Sequence, residues 1–191
     1  MKRLGLVMLA AALSVVAARP AIAQRRAAAQ PAAQGTLRYG VSAGLLLPMG
    51  NYNTLDKMGF IGGAGATYWL PVGNIGIRGD LSYSQTSHNN GIAGNTKIIG
   101  GTASVIYALN PASAPARWML TGGLGLYNVK ISTATASGSE SKIGFGLGAA
   151  VAFKLGTSST RLVVGSRFTS VSTSNNSTEF LPITVGLSFG K

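Results

Sequence analysis

The sequence has no cysteine, one histidine and only four acidic residues in a chain of 191. Without cysteine there is no disulfide framework, no thiolate metal ligand and no cysteine nucleophile. One histidine and scattered acids also lack the ligand spacing of a metal site. Charged residues are 10% of the chain, against roughly 25% in ordinary soluble proteins. These shortages predict no metal, no cofactor and no catalytic centre.

The formal net charge of +12 reflects the shortage of acids rather than basic runs. No stretch holds a cluster of five basic residues. Proteins that bind nucleic acid concentrate lysine and arginine in a patch or stripe. The sequence therefore predicts no nucleic-acid partner.

Long apolar runs are scarce, and the one that stands out is at the N-terminus. Lys2 and Arg3 precede an apolar stretch at 4–18, and Ala-Ile-Ala at 21–23 offers a small-x-small cleavage site. This pattern predicts a cleaved signal peptide, residues 1–23, and export; an uncleaved anchor is the alternative. Residues 24–35 are rich in alanine, glutamine and arginine, which predicts a flexible periplasmic leader.

From residue 36 onward, apolar and small or polar residues alternate. The last such segment, 181–189, puts leucine, isoleucine, valine, leucine and phenylalanine on one face, with proline, threonine, glycine and serine on the other. Seven earlier segments show the same period of two. The predicted strands are 36–47, 59–70, 75–87, 96–109, 117–130, 142–155, 160–169 and 181–189.

The connections between these strands alternate in length. Long polar links at 48–58, 88–95, 131–141 and 170–179 alternate with shorter ones at 71–74, 110–116 and 156–159. Outer-membrane barrels combine an even strand count with short periplasmic turns and longer outer loops. A tilted strand crosses a bilayer in roughly 9–11 residues, which the predicted strands provide.

The position of the charged residues separates a membrane barrel from a soluble one. Only Lys97 and Lys130 share the parity of the apolar face, and both lie at loop-side strand ends. A soluble lipocalin-like barrel would be apolar inside and charged outside. The sequence therefore predicts an all-β, eight-stranded antiparallel up-and-down transmembrane β-barrel spanning residues 36–191. The charged strand residues with inward parity are Arg38, Arg78, Asp80, Lys154, Arg161 and Arg167.

Aromatic residues are expected to form two girdles at the membrane interfaces. Trp69 has inward parity and fits neither girdle. The expected periplasmic girdle is Tyr39, Tyr68, Tyr107, Trp118 and Phe153. The expected outer girdle is Phe60, Tyr83, Phe168 and Phe180.

Three stretches carry a family resemblance: Leu-Pro-x-Gly at 47–50, LTGGLGLYNV at 120–129 and PITVGLSF at 182–189. With them the chain resembles the small eight-stranded barrels of the outer membrane protein beta-barrel domain family, the outer-membrane-protein-A-like and X-like group. The resemblance implies the cell outer membrane of a Gram-negative-type bacterium. It also implies contact with outer-membrane lipid and lipopolysaccharide, and insertion by the barrel-assembly machinery. Such barrels often end on an aromatic residue, whereas here Gly190 and Lys191 follow Phe189.

The barrel interior holds the candidate site. Arg78, Asp80 and Arg167 are expected to meet in mid-lumen as an ion-pair plug; the alternative is an ion-selective constriction that favours anions. The lumen is either a narrow water-filled passage or is filled by long side chains reaching over bare wall. The inward glycines that leave the wall bare are Gly40, Gly44, Gly63, Gly65, Gly76, Gly100, Gly123, Gly125, Gly144, Gly146, Gly148, Gly165 and Gly186.

Four further cations are expected near the periplasmic mouth. They form either a solvated rim or a site for an anionic partner such as a cell-wall polymer or lipid phosphate. These residues are Arg38, Arg117, Lys154 and Arg161.

Three functions follow in order of preference. The first is a non-enzymatic barrel that displays four polar extracellular loops in a structural or surface-interaction role. The second is a small, passive, porin-like channel. The third is a lipid-modifying enzyme in which His88 acts with Ser87 and Glu140 or Glu179; a lone loop histidine supports it poorly.

Overall fold

The computed structural model describes residues 34–71, 73–89, 94–133, 137–172 and 177–190. Within these ranges the chain forms eight strands and one short helix. The predicted signal peptide, residues 1–23, and residues 24–33 of the predicted leader lie outside them. The elements are β1 (Thr36–Met49), α1 (Gly50–Leu55), β2 (Gly59–Trp69), β3 (Ile75–Ser87), β4 (Gly94–Ala108), β5 (Ala116–Thr133), β6 (Ser137–Lys154), β7 (Arg161–Ser172) and β8 (Ser177–Phe189).

The eight strands close into an antiparallel up-and-down barrel in the order β1 to β8. Each strand pairs with its sequence neighbours, and β8 returns to pair with β1 from Tyr39↔Phe189 to Met49↔Glu179. Among the described residues every strand is paired on both sides, so most backbone groups of the wall bond within the wall. The β7–β8 register has one gap, between Ser166↔Ile183 and Thr169↔Phe180, where Pro182 has no N–H to donate. The predicted fold class is confirmed.

The outer wall is apolar. On β3, Leu81 is 71% exposed while its neighbour Asp80 faces inward, and on β5 Leu126 is 65% exposed beside Tyr127 at 4%. This alternation follows from the two-residue period of a strand. A wall of exposed leucine, isoleucine and aromatic side chains is stable only against lipid.

The two ends of the barrel differ, and we name them by their connections. The turn end carries the start of β1, the end of β8 and the three short turns. The loop end carries the other connections. Among the described residues, no helix is long and apolar enough to cross a membrane.

At the loop end the strands run further than predicted. β5 and β6 have 18 residues each, reaching Thr133 and starting at Ser137. β7 extends to Ser172, and β8 starts at Ser177. The predicted loops at 131–141 and 170–179 are therefore wrong in extent. These serine- and threonine-rich strand ends keep their backbone hydrogen bonds beyond the apolar part of the wall. Apolar and polar residues no longer alternate there, so the sequence pattern does not indicate a strand.

The connection from β1 to β2 contains a helix that the sequence did not indicate. Gly50 has a φ of 54°, a left-handed conformation that glycine adopts at little cost, and it turns the chain from β1 into α1. The Lys57 N–H donates to Ser87 O over 2.8 Å, and the Asn89 N–H donates to Leu55 O over 2.8 Å. These bonds hold α1 and the residues after it against the end of β3.

Candidate functional site

The barrel interior is layered, and the inward side chains of β4 show the sequence of layers. Starting from the loop end, Thr96 is buried in a polar cluster, Ile98 in an apolar one, and Thr102 borders charged residues. Ile106 and Ala108 then lie in a second apolar cluster near the turn end. The site is therefore a stack of side chains along the barrel axis.

The first apolar level, the loop-end layer, is built around Tyr127 and Phe180. Their rings meet edge to face with centroids 6.2 Å apart, a preferred aromatic geometry. Phe180 is 3% exposed, so its expected place in the outer girdle is wrong. It shares the inward parity of Pro182 and Thr184 on β8. The loop-end layer comprises Leu46, Tyr52, Ile98, Tyr127, Val129, Val171 and Phe180.

The second apolar level, the turn-end layer, consists of Trp69, Ile106, Ala108 and Met119. Trp69 is 7% exposed, as its inward parity predicts. The Arg117 guanidinium lies 3.8 Å from the centroid of the Trp69 ring, a cation–π contact. This stacking accounts for a tryptophan that belongs to neither girdle.

Inward glycines give space to a few large side chains. A Cβ at Gly100, Gly125 or Gly144 would come within 2.7–3.0 Å of Tyr127 ring atoms. A Cβ at Gly146 would overlap the guanidinium of Arg167. At these positions the bare wall is covered by side chains from elsewhere in the barrel, as the filled-lumen alternative expects.

Between the two apolar layers lies the middle layer, defined by Arg78, Asp80, Thr102 and Arg167. Arg78 Nε donates to both Asp80 carboxylate oxygens, over 2.7 and 2.8 Å, and Arg78 Nη2 lies 2.6 Å from Oδ1. The two residues are adjacent inward positions of β3, which brings their side chains side by side.

Arg167 does not join this pair. Its Nη1 donates to Thr102 Oγ1 over 3.5 Å, from β7 to β4 across the lumen. Its Nε and Nη2 are buried and have no hydrogen-bond partner among the described residues. The structure thus brings Arg78 and Asp80 together and places Arg167 beside Thr102, the β4 residue that pairs with Asp80 in the sheet register.

Three arginines, the turn-end arginines Arg38, Arg117 and Arg161, close the opposite end of the stack. Each reaches from its strand to the backbone of a different short turn. Lys154, the fourth predicted cation, is exposed at the end of β6. The turn carbonyls that accept from the arginines are Gly73 O from Arg117, Ala112 O and Ala114 O from Arg161, and Ser159 O from Arg38.

Arg38 also holds the end of β8. It donates to Ser188 Oγ over 3.2 Å and to the carbonyls of Ser188 and Gly190, each over 3.0 Å. Among the described residues, the hydrogen-bond acceptors of the turn-end arginines are carbonyls and one hydroxyl, not carboxylates.

At the loop end a buried carboxylate organises a second polar centre, the Asp56 cluster. Asp56 is 2% exposed and accepts from Thr86 Oγ1 over 2.9 Å and Thr96 Oγ1 over 3.0 Å. His88 Nε2 lies 3.9 Å from Asp56 Oδ1. The Tyr52 hydroxyl lies 2.7 Å from Thr86 Oγ1, and burial raises the pKa of Tyr52 above its usual range.

Sequence reasoning missed Asp56. The residue lies in a predicted polar loop, where a carboxylate is normally solvated. The one feature of the sequence that draws attention to Asp56 is that the chain has only four acidic residues.

The structure does not bring together the residues of the enzyme hypothesis. Glu140 Oε1 lies 2.6 Å from Lys142 Nζ, and Glu179 accepts from Ser177 Oγ over 3.1 Å. Within the described part of the chain, no serine hydroxyl is hydrogen-bonded to His88, so a serine nucleophile lacks its base. The same residues contain no group of three or more potential metal ligands.

Comparisons with known proteins agree with this geometry. The family model described as outer membrane protein beta-barrel domain matches residues 8–189. The chain is similar in fold to neisserial surface protein A, with a TM-score of 0.63 and 15% identity over 82% of this chain and 97% of that one. Among curated proteins, none matches the sequence.

Two further solved structures share the fold. A major outer membrane protein of Thermus thermophilus has a TM-score of 0.55 and 12% identity, covering 81% of this chain and 99% of that one. The attachment invasion locus protein Ail of Yersinia pestis, solved with the heparin analogue sucrose octasulfate, has a TM-score of 0.50 and 18% identity. That match covers 81% of this chain and 97% of Ail.

Proposed function

Because this chain belongs to the outer membrane protein beta-barrel domain family and lies in the outer membrane, we propose that it is a non-enzymatic anchor displaying its loop end at the cell surface. The observation that carries this proposal is the layered interior. Two apolar layers and a charged layer between them occupy the lumen of an eight-stranded barrel, whose interior is only wide enough for side chains to fill. A lumen crossed by two apolar layers suits anchoring better than transport.

In this proposal the turn end faces the periplasm and the loop end faces outward, as in other outer-membrane barrels. The displayed elements are then α1, the β3–β4 connection, the extended β5–β6 hairpin and the β7–β8 connection. The structural role of the barrel is to carry these elements above the membrane.

A lysine pair supports lipopolysaccharide as the lipid partner. Lys97 and Lys130 are directly opposed across β4 and β5, on the outward face near the loop end. Like charges at facing positions of neighbouring strands destabilise a sheet, unless an anion lies between them. Lipopolysaccharide carries phosphate groups, and lysine binds phosphate well.

The lipid partner is tested by measuring lipopolysaccharide retained by purified protein. The variant Lys97→Gln with Lys130→Gln should retain less than the wild type. Lys142→Gln is the matched control, because Lys142 already pairs with Glu140 at the loop end. Equal retention in the double variant and the wild type would rule out the lysine pair as the phosphate contact.

The anchoring role is tested by gel mobility followed by conductance. Protein from washed outer membranes should shift in mobility between unboiled and boiled samples in SDS, because small barrels resist SDS when cold and unfold in it on heating. Once folded protein is in hand, planar bilayers should show no current steps. Discrete steps would instead support the passive channel, and a lipid A profile altered by His88→Ala would support an enzyme.

A further inference from the structure

The middle layer carries one positive charge more than its own acids balance. Arg78 and Arg167 contribute two cations and Asp80 one anion, so the formal sum is +2 − 1 = +1. Asp80 is engaged by Arg78 through contacts of 2.6–2.8 Å. Within the described ranges, the side chain of Arg167 makes one hydrogen bond, a long one of 3.5 Å to Thr102 Oγ1.

The surroundings make this imbalance costly. The loop-end layer lies on one side and the turn-end layer on the other, and lipid surrounds the wall. An unbalanced charge in such a low-dielectric setting is strongly unfavourable unless it is paired and hydrogen-bonded. Two of the three guanidinium nitrogens of Arg167, Nε and Nη2, are buried and find no hydrogen-bond partner in the part of the chain that the structure describes.

The layer also has room for a ligand. A cavity of about 200 Å³ is bordered by Arg78, Asp80 and Arg167, whereas one water occupies roughly 30 Å³ of liquid. Its lining is mixed, because the apolar layers and glycine backbone contribute beside polar groups. Ser82 and Thr184 line it, but their hydroxyls donate to Gly100 O and Gly165 O. Lining hydroxyls whose protons are not donated to another acceptor within the described residues include those of Ser42, Thr102 and Thr121.

We propose that the middle layer binds one small monovalent anion, of the size of a halide, between the unpartnered nitrogens of Arg167 and these hydroxyls. A single negative charge brings the formal sum of the layer to zero. The Thr102 hydroxyl accepts from Arg167 and keeps its own proton to donate to the anion. This site lies inside the barrel and is independent of what the loop end contacts.

Chloride is the probe for the first test. Barrel refolded in detergent is heated at constant ionic strength in about 100 mM chloride or in gluconate, an organic anion much larger than a halide. Because a ligand that binds only the folded state raises the unfolding temperature, chloride should raise the midpoint by roughly 2–4 °C. Arg167→Gln should lose this difference. A wild-type midpoint that is equal in the two salts, or a difference that persists in Arg167→Gln, would overturn the proposal.

Two further variants test the charge balance itself. Asp80→Asn leaves both arginines without a carboxylate, so its midpoint in gluconate should fall and its response to chloride should exceed that of the wild type. Arg78→Gln frees Asp80 to neutralise Arg167, so the response should shrink. Lys97→Gln, a charge change on the outer wall, should respond like the wild type. The reverse order of responses would contradict a site in the middle layer.

A direct measurement keeps the proposal testable if a variant fails to fold. Crystals of the wild-type barrel soaked in bromide should show an anomalous scattering peak in the cavity beside Arg167. Data without a peak there would refute the site irrespective of the variants.

Discussion

The loop end and the turn end both close the lumen, but they do so with different chemistry. At the loop end, a segment from a connection folds inward: Tyr52 of α1 joins the loop-end layer, and Asp56 accepts hydrogen bonds from β3 and β4. At the turn end nothing folds inward among the described residues. Instead, arginines on three strands bond to the carbonyls of the three short turns.

The difference follows from connection length. A turn of a few residues is too short to fold a side chain into the lumen. Its backbone carbonyls, however, lie where a long side chain from a strand can reach them. A long connection can bury its own side chains, at the cost of ordering more backbone. The turn end is therefore closed by hydrogen bonds from side chains to the backbone of the turns, and the loop end by packing of a segment that belongs to a connection.

The largest effect is expected from a substitution that disrupts packing at the loop end. Phe180→Ala removes the ring that meets Tyr127 in the loop-end layer, and truncating a buried phenylalanine typically costs about 3–5 kcal/mol. The free energy of unfolding, measured by urea titration in detergent, should fall by that amount. Phe153→Ala, which truncates an outward ring at the turn end, is the control and should cost less. Equal losses would mean that the loop-end layer contributes no packing of its own.

The buried carboxylate at the same end should have a smaller and local effect. Asp56→Asn replaces an acceptor of two threonine hydroxyls by an amide, which should cost about 1–3 kcal/mol. Hydrogen exchange should accelerate at the amides of Lys57 and Asn89, which tie the connection to β3. Exchange at Ala108, whose amide donates to Asn74 O at the turn end, should not change.

The control for that prediction is Glu140→Gln, because Glu140 is an exposed acid whose ion pair should contribute little. If the Asp56 variant exchanged faster at both ends, the two closures would not be independent.

At the turn end, Arg117→Lys tests the geometry of a guanidinium at constant charge. Lysine cannot both stack on Trp69 and reach Gly73 O with a planar fork. The expected loss is about 1–2 kcal/mol in the free energy of unfolding. Lys154→Gln, at an exposed position of the same end, should be nearly neutral. A loss confined to Lys154→Gln would show that charge, not stacking, matters there.

The smallest expected effect is a dependence on alkaline pH that only the loop end shows. Burial raises the pKa of Tyr52, so the folded state favours the protonated hydroxyl. Its contribution is complete below the ordinary pKa of about 10 and is lost as pH rises above it. The unfolding midpoint should fall between about pH 9 and about pH 11 by more in the wild type than in Tyr52→Phe. Identical falls would place the titration elsewhere.

Much of the wall was predictable because lipid enforces a simple rule on every outward position. The period of two in β6, with isoleucine, phenylalanine and leucine alternating with glycine and alanine, leaves one choice of face. The inward place of Trp69 followed from the same rule. The strand ends above the membrane were not predictable, because in β5 and β6 both faces meet water there.

The interior was less predictable because inward positions obey no single rule. Parity places Arg78, Asp80 and Arg167 in the lumen, but whether Arg167 reaches Asp80 or Thr102 depends on how the strands are staggered. The burial of Asp56 depends on α1, a non-local arrangement without a local pattern. The prediction placed Phe180 in the outer girdle because the residue lies near a strand end. Its even position on β8, shared with Pro182 and Thr184, instead indicates the lumen.

The seam between β1 and β8 has a consequence for how the protein assembles. Tyr39 pairs with Phe189, 189 − 39 = 150 positions along the chain, whereas every other strand pair joins sequence neighbours. The entropy lost on bringing distant segments together grows with the length of chain between them, and non-local pairing slows folding. We therefore expect the pairing of β1 with β8 to be the slow step of barrel formation. The interior layers need the closed barrel, because an open sheet does not enclose them. A mutation that weakens this pairing should show first in the rate of barrel formation.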